Sequence, residues 1–230
     1  MPVRFCVEQL NTALLRTSAG PRAFLSHIDL TLTAGEQVAV VGAPKSGKTQ
    51  LTRALALLQR PSAGRVLLDD LDLTRLSEAK LRNVRRHLQF VGGNPARAVL
   101  STQTVEAVLR EPLDIQRLGS VAERRARVEE AARVLGINVW LLTRPLASLS
   151  LALRQKLLLA RALMLNPSVL ITDEVIQHLE PAVAPGLLGR ISALSRERNT
   201  AWLWTTTNLA LARRYADRVL VLKEGRLSEA

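Results

Sequence analysis

Residues 42–49 read Gly-Ala-Pro-Lys-Ser-Gly-Lys-Thr. They fill the pattern G-x-x-x-x-G-K-[ST] at every position, and they stand where that pattern has meaning, after an apolar strand and at the start of a helix. Gly42 and Gly47 permit tight backbone turns, so the amides of residues 44–49 can point at phosphate oxygens. The helix opening near Lys48 adds its N-terminal dipole. Lys48 is suited to neutralising β- and γ-phosphates, and the Thr49 hydroxyl to ligating Mg2+. Gly42, Ala43, Pro44, Lys45, Ser46, Gly47, Lys48, Thr49 and Gln50 are therefore the candidate nucleotide-binding residues. A phosphate loop also needs an acid for the metal shell and a base for the attacking water. Val169-Leu170-Ile171-Thr172-Asp173-Glu174 supplies both: Asp173 ends a buried strand within reach of a Thr49-bound metal, and Glu174 follows as the candidate catalytic base.

Elements to carry these residues can be read from periodicity. Strands are expected at 5–10, 28–32, 37–41, 64–68, 88–91, 168–172, 201–205 and 218–223. Helices are expected at 48–58, from Ser77 (a candidate cap), and at 104–110, 121–135, 151–165, 184–197 and 209–215. Alternation of the two favours a mostly parallel sheet, and residues 93–165 are helix-dominated, as an inserted helical subdomain is.

The composition fits this picture. The chain has 230 residues, 47% of them hydrophobic and only 3% aromatic, so the core must rest on Leu, Val, Ile and Ala. No apolar run approaches the length of a membrane span, and the N-terminus lacks the apolar region of a signal peptide. The single cysteine, Cys6, excludes a disulfide framework and a Cys-rich metal site, and is read as a small buried hydrophobe. The net charge is +12, and 27 of the 32 basic residues are Arg. Nucleic acid, an anionic membrane surface and a merely solvated Arg-rich face all compete as explanations. The spread of the charge and the lack of basic–aromatic interleaving count against nucleic acid as the partner. His27 and His87 are isolated and read as surface or core-edge residues, His178 as structural, and Trp140, Trp202 and Trp204 as core.

From about residue 3 to 228, the chain resembles the ATP-binding subunits of ABC transporters, and within them the oligopeptide/nickel importer group. Besides the two motifs, Asn94-Pro95, Glu111-Pro112-Leu113, Ala160-Arg161-Ala162-Leu163 before Asn166-Pro167, Leu209-Ala210-Leu211-Ala212, Asp217-Arg218-Val219 and Gly225-Arg226 carry the likeness. The resemblance implies an α/β fold of the P-loop NTPase class: a RecA-like ABC ATPase core, an antiparallel β-subdomain and the helical subdomain, all in one ATP-binding domain over 1–230. It implies ATP and Mg2+ as ligands and a dimer that sandwiches ATP. It also implies integral membrane permease subunits docked near residues 92–115, an extracytoplasmic substrate-binding protein reached through them, and a peripheral place on the cytoplasmic face of the membrane.

Several family motifs are altered. The signature Leu-Ser-Gly-Gly-Gln falls on Leu149-Ser150-Leu151-Ala152-Leu153, so only Ser150 remains as a contact to the opposing subunit's ATP. Leu151 and Ala152 should hinder close approach. Gln155 holds the signature-helix position. The Q-loop glutamine aligns with Gly93, and Gln89 lies four residues too early to replace it. The switch histidine aligns with Thr207, and the D-loop reads Gln177-His178-Leu179-Glu180. The adenine-stacking aromatic falls near Leu14, where Arg16 is the nearest candidate to stack. Such a chain is expected to bind MgATP, to hydrolyse it less securely, and to pair with an unlike ATPase subunit that brings a complete signature. A non-catalytic regulatory subunit is the alternative, and a soluble nucleic-acid-linked ATPase a more distant one.

Overall fold

The computed structural model describes residues 3–12, 14–17, 20–94, 102–177 and 179–230, with the side chains of residues 3, 14–17 and 20–23 left aside. Pro95, His178 and the side chains of Leu14 and Arg16 thus lie outside the described residues. In chain order the elements are β1 (Val3–Asn11), β2 (Leu14–Thr17), β3 (Gly20–Ala23), β4 (Ile28–Thr33), β5 (Gln37–Val41), α1 (Lys48–Leu55), β6 (Ala63–Leu68) and β7 (Leu71–Asp72). There follow α2 (Glu78–Val84), β8 (Leu88–Val91), α3 (Val105–Ile115), α4 (Val121–Val134), α5 (Leu151–Leu163) and β9 (Val169–Thr172). The chain closes with α6 (Ala184–Glu197), β10 (Ala201–Thr206), α7 (Leu209–Tyr215), β11 (Arg218–Lys223) and β12 (Arg226–Glu229).

The larger sheet has the order β12-β11-β5-β10-β9-β8. The pairs from β11 to β8 are all parallel, and β12 is added antiparallel at one edge. A smaller sheet, β4-β1-β6-β7, is antiparallel throughout. Strand alternation divides the interior in two. On β10, Trp202 and Trp204 point into a cluster shared with α3, α4, α5 and α6. Ala201 and Leu203, one step out of phase, point to the cluster under the antiparallel sheet and α1, as a period of two requires. The two indoles stack with centroids 5.5 Å apart, and Trp202 Nε1 donates to Thr172 Oγ1 at 3.1 Å, which pays for burying its one polar atom. No helix among the described residues is long and apolar enough to cross a membrane.

Some sequence expectations need correction. Trp140 is not core: it is 59% exposed, with the Arg144 guanidinium over its ring. It opens a short 3-10 segment, Val139–Thr143, whose buried anchors are Leu141 and Leu142. Cys6 is half-buried, its thiol facing Glu8 across the outer side of β1, because strand alternation gives the inward places to Phe5 and Val7. Ser77 precedes α2 but makes no side-chain cap bond. Helix α1 stops at Leu55 rather than 58 because Leu57 turns to a left-handed φ of 52°. Helix α3 runs on through Pro112 to Ile115, held by Leu109 and Leu113, both fully buried. His27 is exposed and His87 half-buried.

The helices between β8 and β9 are tied together by charge as well as packing. Glu111 on α3 accepts from Arg161 on α5 at 2.7 Å. Asp114 on α3 receives Arg110 at 2.9 Å and Arg124 of α4 at 2.7 Å. The bond from Arg110, then that from Arg124, hold the Asp114 carboxyl below the usual carboxylate range. A depressed folded pKa stabilises the fold above the unfolded value, and that gain is lost as pH falls through the folded value. The Asp114→Asn variant is therefore expected to be less stable by about 0.5–1 kcal/mol at neutral pH, the scale of exposed pairs. Denaturant titrations should show the difference shrink and vanish as pH falls through the folded-state value.

Candidate functional site

The strand order makes the site. In an open parallel sheet, ligands meet the carboxyl ends of the strands. Here β10 lies between β5 and β9, with Thr206 opposite Val41 and Trp204 opposite Thr172. The loop leaving β5 and the residues leaving β9 therefore emerge on either side of β10. The first is residues 42–47; the second is Asp173-Glu174.

The loop is closed by its own backbone. Ser46 N–H donates to the Ala43 carbonyl at 3.1 Å, and Gly42 N–H to the Thr206 carbonyl at 3.4 Å. Gly47 caps α1 at φ 103°, a conformation open to glycine and strained for other residues. Gly42 packs so closely that a Cβ there would stand 2.9 Å from the Leu222 carbonyl oxygen. Lys48 is only 4% exposed. Its ammonium donates to the carbonyls of Gly42 at 2.8 Å and Ala43 at 2.9 Å, and pairs with Glu174 at 3.1 Å.

Thr49 Oγ1 donates to Asp173 Oδ2 at 2.8 Å. Asp173 is 5% exposed, and burial pushes its carboxyl above the ordinary value, against the opposing pull of bonds from Thr49 and Thr205. Its N–H donates to the Val91 carbonyl at 2.9 Å, which fixes the end of β9 against the end of β8. Glu174 follows at φ 48°, and this left-handed turn swings its carboxylate back over the phosphate loop.

A cavity of about 570 Å³ opens here, lined among others by Pro44, Lys45, Gly47, Lys48, Thr49, Gln50, Glu174, Thr207 and Asn208. Of the residues read from sequence, Gly42, Ala43 and Ser46 form the loop behind it. Ser46 Oγ is buried and lacks a hydrogen-bond partner among the described residues. A buried ammonium, a glycine-containing loop that opens a helix and a Thr–Asp oxygen pair match a polyphosphate with a hard divalent cation. Ser150 stands apart: it caps α5, its hydroxyl accepting from Leu153 N–H at 3.3 Å, and it lines neither this cavity nor the one beside it. Gln155 is fully buried, with its amide towards the Gly92 carbonyl at 3.5 Å.

Two residues escaped the sequence reading. Thr205, fully buried, donates to Asp173 Oδ1 at 2.9 Å and accepts from Glu174 N–H at 2.9 Å. One hydroxyl thus braces both acids. Nothing local marks it, since Thr suits any strand; only the register of β10 against β9 reveals it. Gln177, within the altered D-loop, lines the cleft as well. The isosteric Thr205→Val variant leaves Glu174 N–H and one Asp173 oxygen short of a partner. Urea denaturation is expected to show a loss of about 1–3 kcal/mol, the cost of such orphans.

A profile of the ABC transporter family matches residues 25–177. The chain is 34% identical over 221 residues to the di/tripeptide transport ATP-binding protein DppF of Pseudomonas aeruginosa (strain UCBPP-PA14), covering 96% of this chain and 68% of that one. It is 32% identical over 208 residues to the nickel import ATP-binding protein NikE of Shigella boydii (serotype 4, strain Sb227), covering 90% and 78%. Its fold matches the ATP-binding cassette MJ0796, solved as a dimer bound to ADP and Pi, with a TM-score of 0.88 over 98% of both chains at 22% identity. The chain belongs to the ABC transporter family, as an ABC-type ATPase subunit of the peptide and nickel importer group.

Proposed function

We propose that this chain is the MgATP-binding subunit of a bacterial importer for peptides, nickel or metal–metallophore complexes, working in a heterodimer of ATPase subunits under membrane permeases. The observation that carries the reading is the 2.8 Å contact between Thr49 and Asp173. It joins the phosphate loop to the acidic strand end at the place where a hard cation needs two oxygens. The names of the relatives, a di/tripeptide transporter subunit and a nickel importer subunit, support the class of cargo. The permeases, the extracytoplasmic binding protein and the peripheral site on the cytoplasmic face follow from that class. The Q-loop and helical subdomain near residues 92–115 are taken as the part that docks on the permeases.

Each residue has a task. The loop amides and Lys48 hold the β- and γ-phosphates, Gln50 borders the same pocket, and Thr49 and Asp173 hold Mg2+. When bound, the ion supplies charge neutralisation for the transferring phosphoryl group. Glu174 accepts the proton of the attacking water. In the present arrangement Glu174 is paired with Lys48, so phosphates that draw the ammonium towards themselves also release the carboxylate for the water. Thr207, at the switch position, can hydrogen-bond phosphate but cannot shuttle a proton as imidazole does. Leu151, 45% exposed at the start of α5, places an apolar side chain where the family has glycine, which is why a partner with an intact signature is preferred over a second copy.

The Lys48→Ala variant is expected to lower ATP affinity at this site by tenfold or more and to reduce transport, with the complex still assembled. Unchanged binding and transport would remove the phosphate-loop reading. In the complex drawn from solubilised membranes, Glu174→Gln is expected to cut Mg2+-dependent turnover by about 10²-fold or more, the scale of a lost general base. An unchanged rate would transfer the chemistry to the partner's site and leave ATP here as a structural or regulatory ligand.

A further inference from the structure

The turn after the acidic pair brings a second polar side chain to the phosphate end of the cleft. Gln177 N–H donates to the Glu174 carbonyl at 3.1 Å, closing a four-residue turn that starts with the candidate base. Beside the nucleotide cleft lies another cavity of about 540 Å³. Thr49, Glu174 and Gln177 line both, so Gln177 stands at the junction, on the side of the metal-binding threonine and the base.

What holds the carboxamide there is the absence of a side chain opposite. Gln177 Nε2 donates to the Gly93 carbonyl at 2.9 Å. A Cβ on residue 93 would lie 2.8 Å from that same Nε2 and 2.8 Å from the Asp173 carbonyl oxygen. No real methyl sits so close, and the backbone oxygen cannot yield. A side chain at 93 and the Gln177 amide in its present place therefore exclude each other. With glycine at 93, the carboxamide is presented from the other wall, by Gln177.

We propose that Gln177 is the water-orienting side chain of this site. This rests on Glu174 being the base. A carboxamide both donates and accepts, and glutamine positions the attacking water in other phosphate-loop enzymes. Anchoring Nε2 on Gly93 fixes the amide plane, and with it the direction of Oε1. In the step itself the water oxygen bonds to the γ-phosphorus. Its proton passes to Glu174, and the bond from phosphorus to the bridging oxygen breaks, its electron pair leaving with ADP. Gln177 holds the water in line and exchanges no proton.

The test uses the assembled complex and two readouts. One is ATP turnover; the other is equilibrium retention of ADP alone and of ADP with aluminium fluoride, which mimics the transferring phosphoryl group. Gln177 is exposed, so Gln177→Ala removes no core packing. Expected are a tenfold or greater fall in kcat with KM within twofold, and a similar loss of ADP–aluminium fluoride retention with ADP affinity unchanged. Gly93→Ala, whose Cβ displaces the amide and also meets the Asp173 carbonyl oxygen, should lose at least as much, and the double variant should be no worse than Gly93→Ala alone. Gln177→Ala with wild-type turnover and retention, alongside a collapse in Glu174→Gln, overturns this proposal alone. Wild-type turnover in Glu174→Gln overturns the base reading and this proposal with it. Additive losses in the double variant also overturn it, because they would mean that the two residues act separately.

Discussion

Asp173 is a carboxylate at the end of an apolar strand with almost no access to water, and such a group must be partnered to be tolerated. An unpaired buried charge costs several kcal/mol, whereas a hydrogen bond to a charged group returns about 1.5–3 kcal/mol. Two hydroxyls, Thr49 from α1 and Thr205 from β10, meet its two oxygens. Each comes from a different element, so the carboxylate can be satisfied only if β5, β9 and β10 are neighbours in register. The functional centre and the sheet order are thus one constraint. A slip of β10 by one residue would send Thr205 to the opposite face and bring Trp204 or Thr206 to its place beside the carboxylate.

The same constraint explains the division of the interior. Trp202 and Trp204 fill the helical side of the sheet, and the end of β9 beside them carries Thr172 and the acids. With only 3% aromatic residues, the chain places its two largest fully buried side chains against the strand that carries the acids. Rigidity is concentrated where three polar groups must stay within hydrogen-bond reach. Further out, the helices between β8 and β9 rely on pairs such as Glu111–Arg161, half exposed and individually weak.

Much of this was legible in the sequence, for a physical reason. The phosphate loop is contiguous, and its glycines, lysine and threonine act through their own backbone and the helix they open. Asp173 was legible because an acid ending a four-residue apolar strand is otherwise unfavourable. What escaped depends on contacts between distant segments. Thr205 becomes informative only once β10 lies beside β9. Gln177 gains meaning only against the empty space at Gly93, 84 residues away. Trp140 misled because a large aromatic is normally buried, whereas its short 3-10 segment already has Leu141 and Leu142 as anchors and leaves the indole to Arg144. Cys6 misled through strand phase, with Phe5 and Val7 holding the inner face.

The start of α5 carries the argument about partnership. A helix N-terminus attracts anions when its free amides can face them and no side chain stands in the way. Here the Ser150 hydroxyl accepts from Leu153 N–H, which leaves its own O–H to donate. The Arg154 guanidinium turns back to the carbonyls of Leu149 and Ala147, and Leu151 projects an exposed apolar side chain at the first turn. The Ser150 O–H is thus what this end of the helix still offers a neighbour's phosphates, beside the obstructing Leu151 side chain. The phosphate loop of the same chain is built the other way, with a buried ammonium, a Thr–Asp oxygen pair and a cavity in front of them. In the proposed heterodimer, this chain brings a phosphate loop to one composite site and an obstructed helix start to the other. On that proposal, two such chains facing each other would set each phosphate loop against an obstructed helix start, whereas an unlike partner with an open helix start would complete the site.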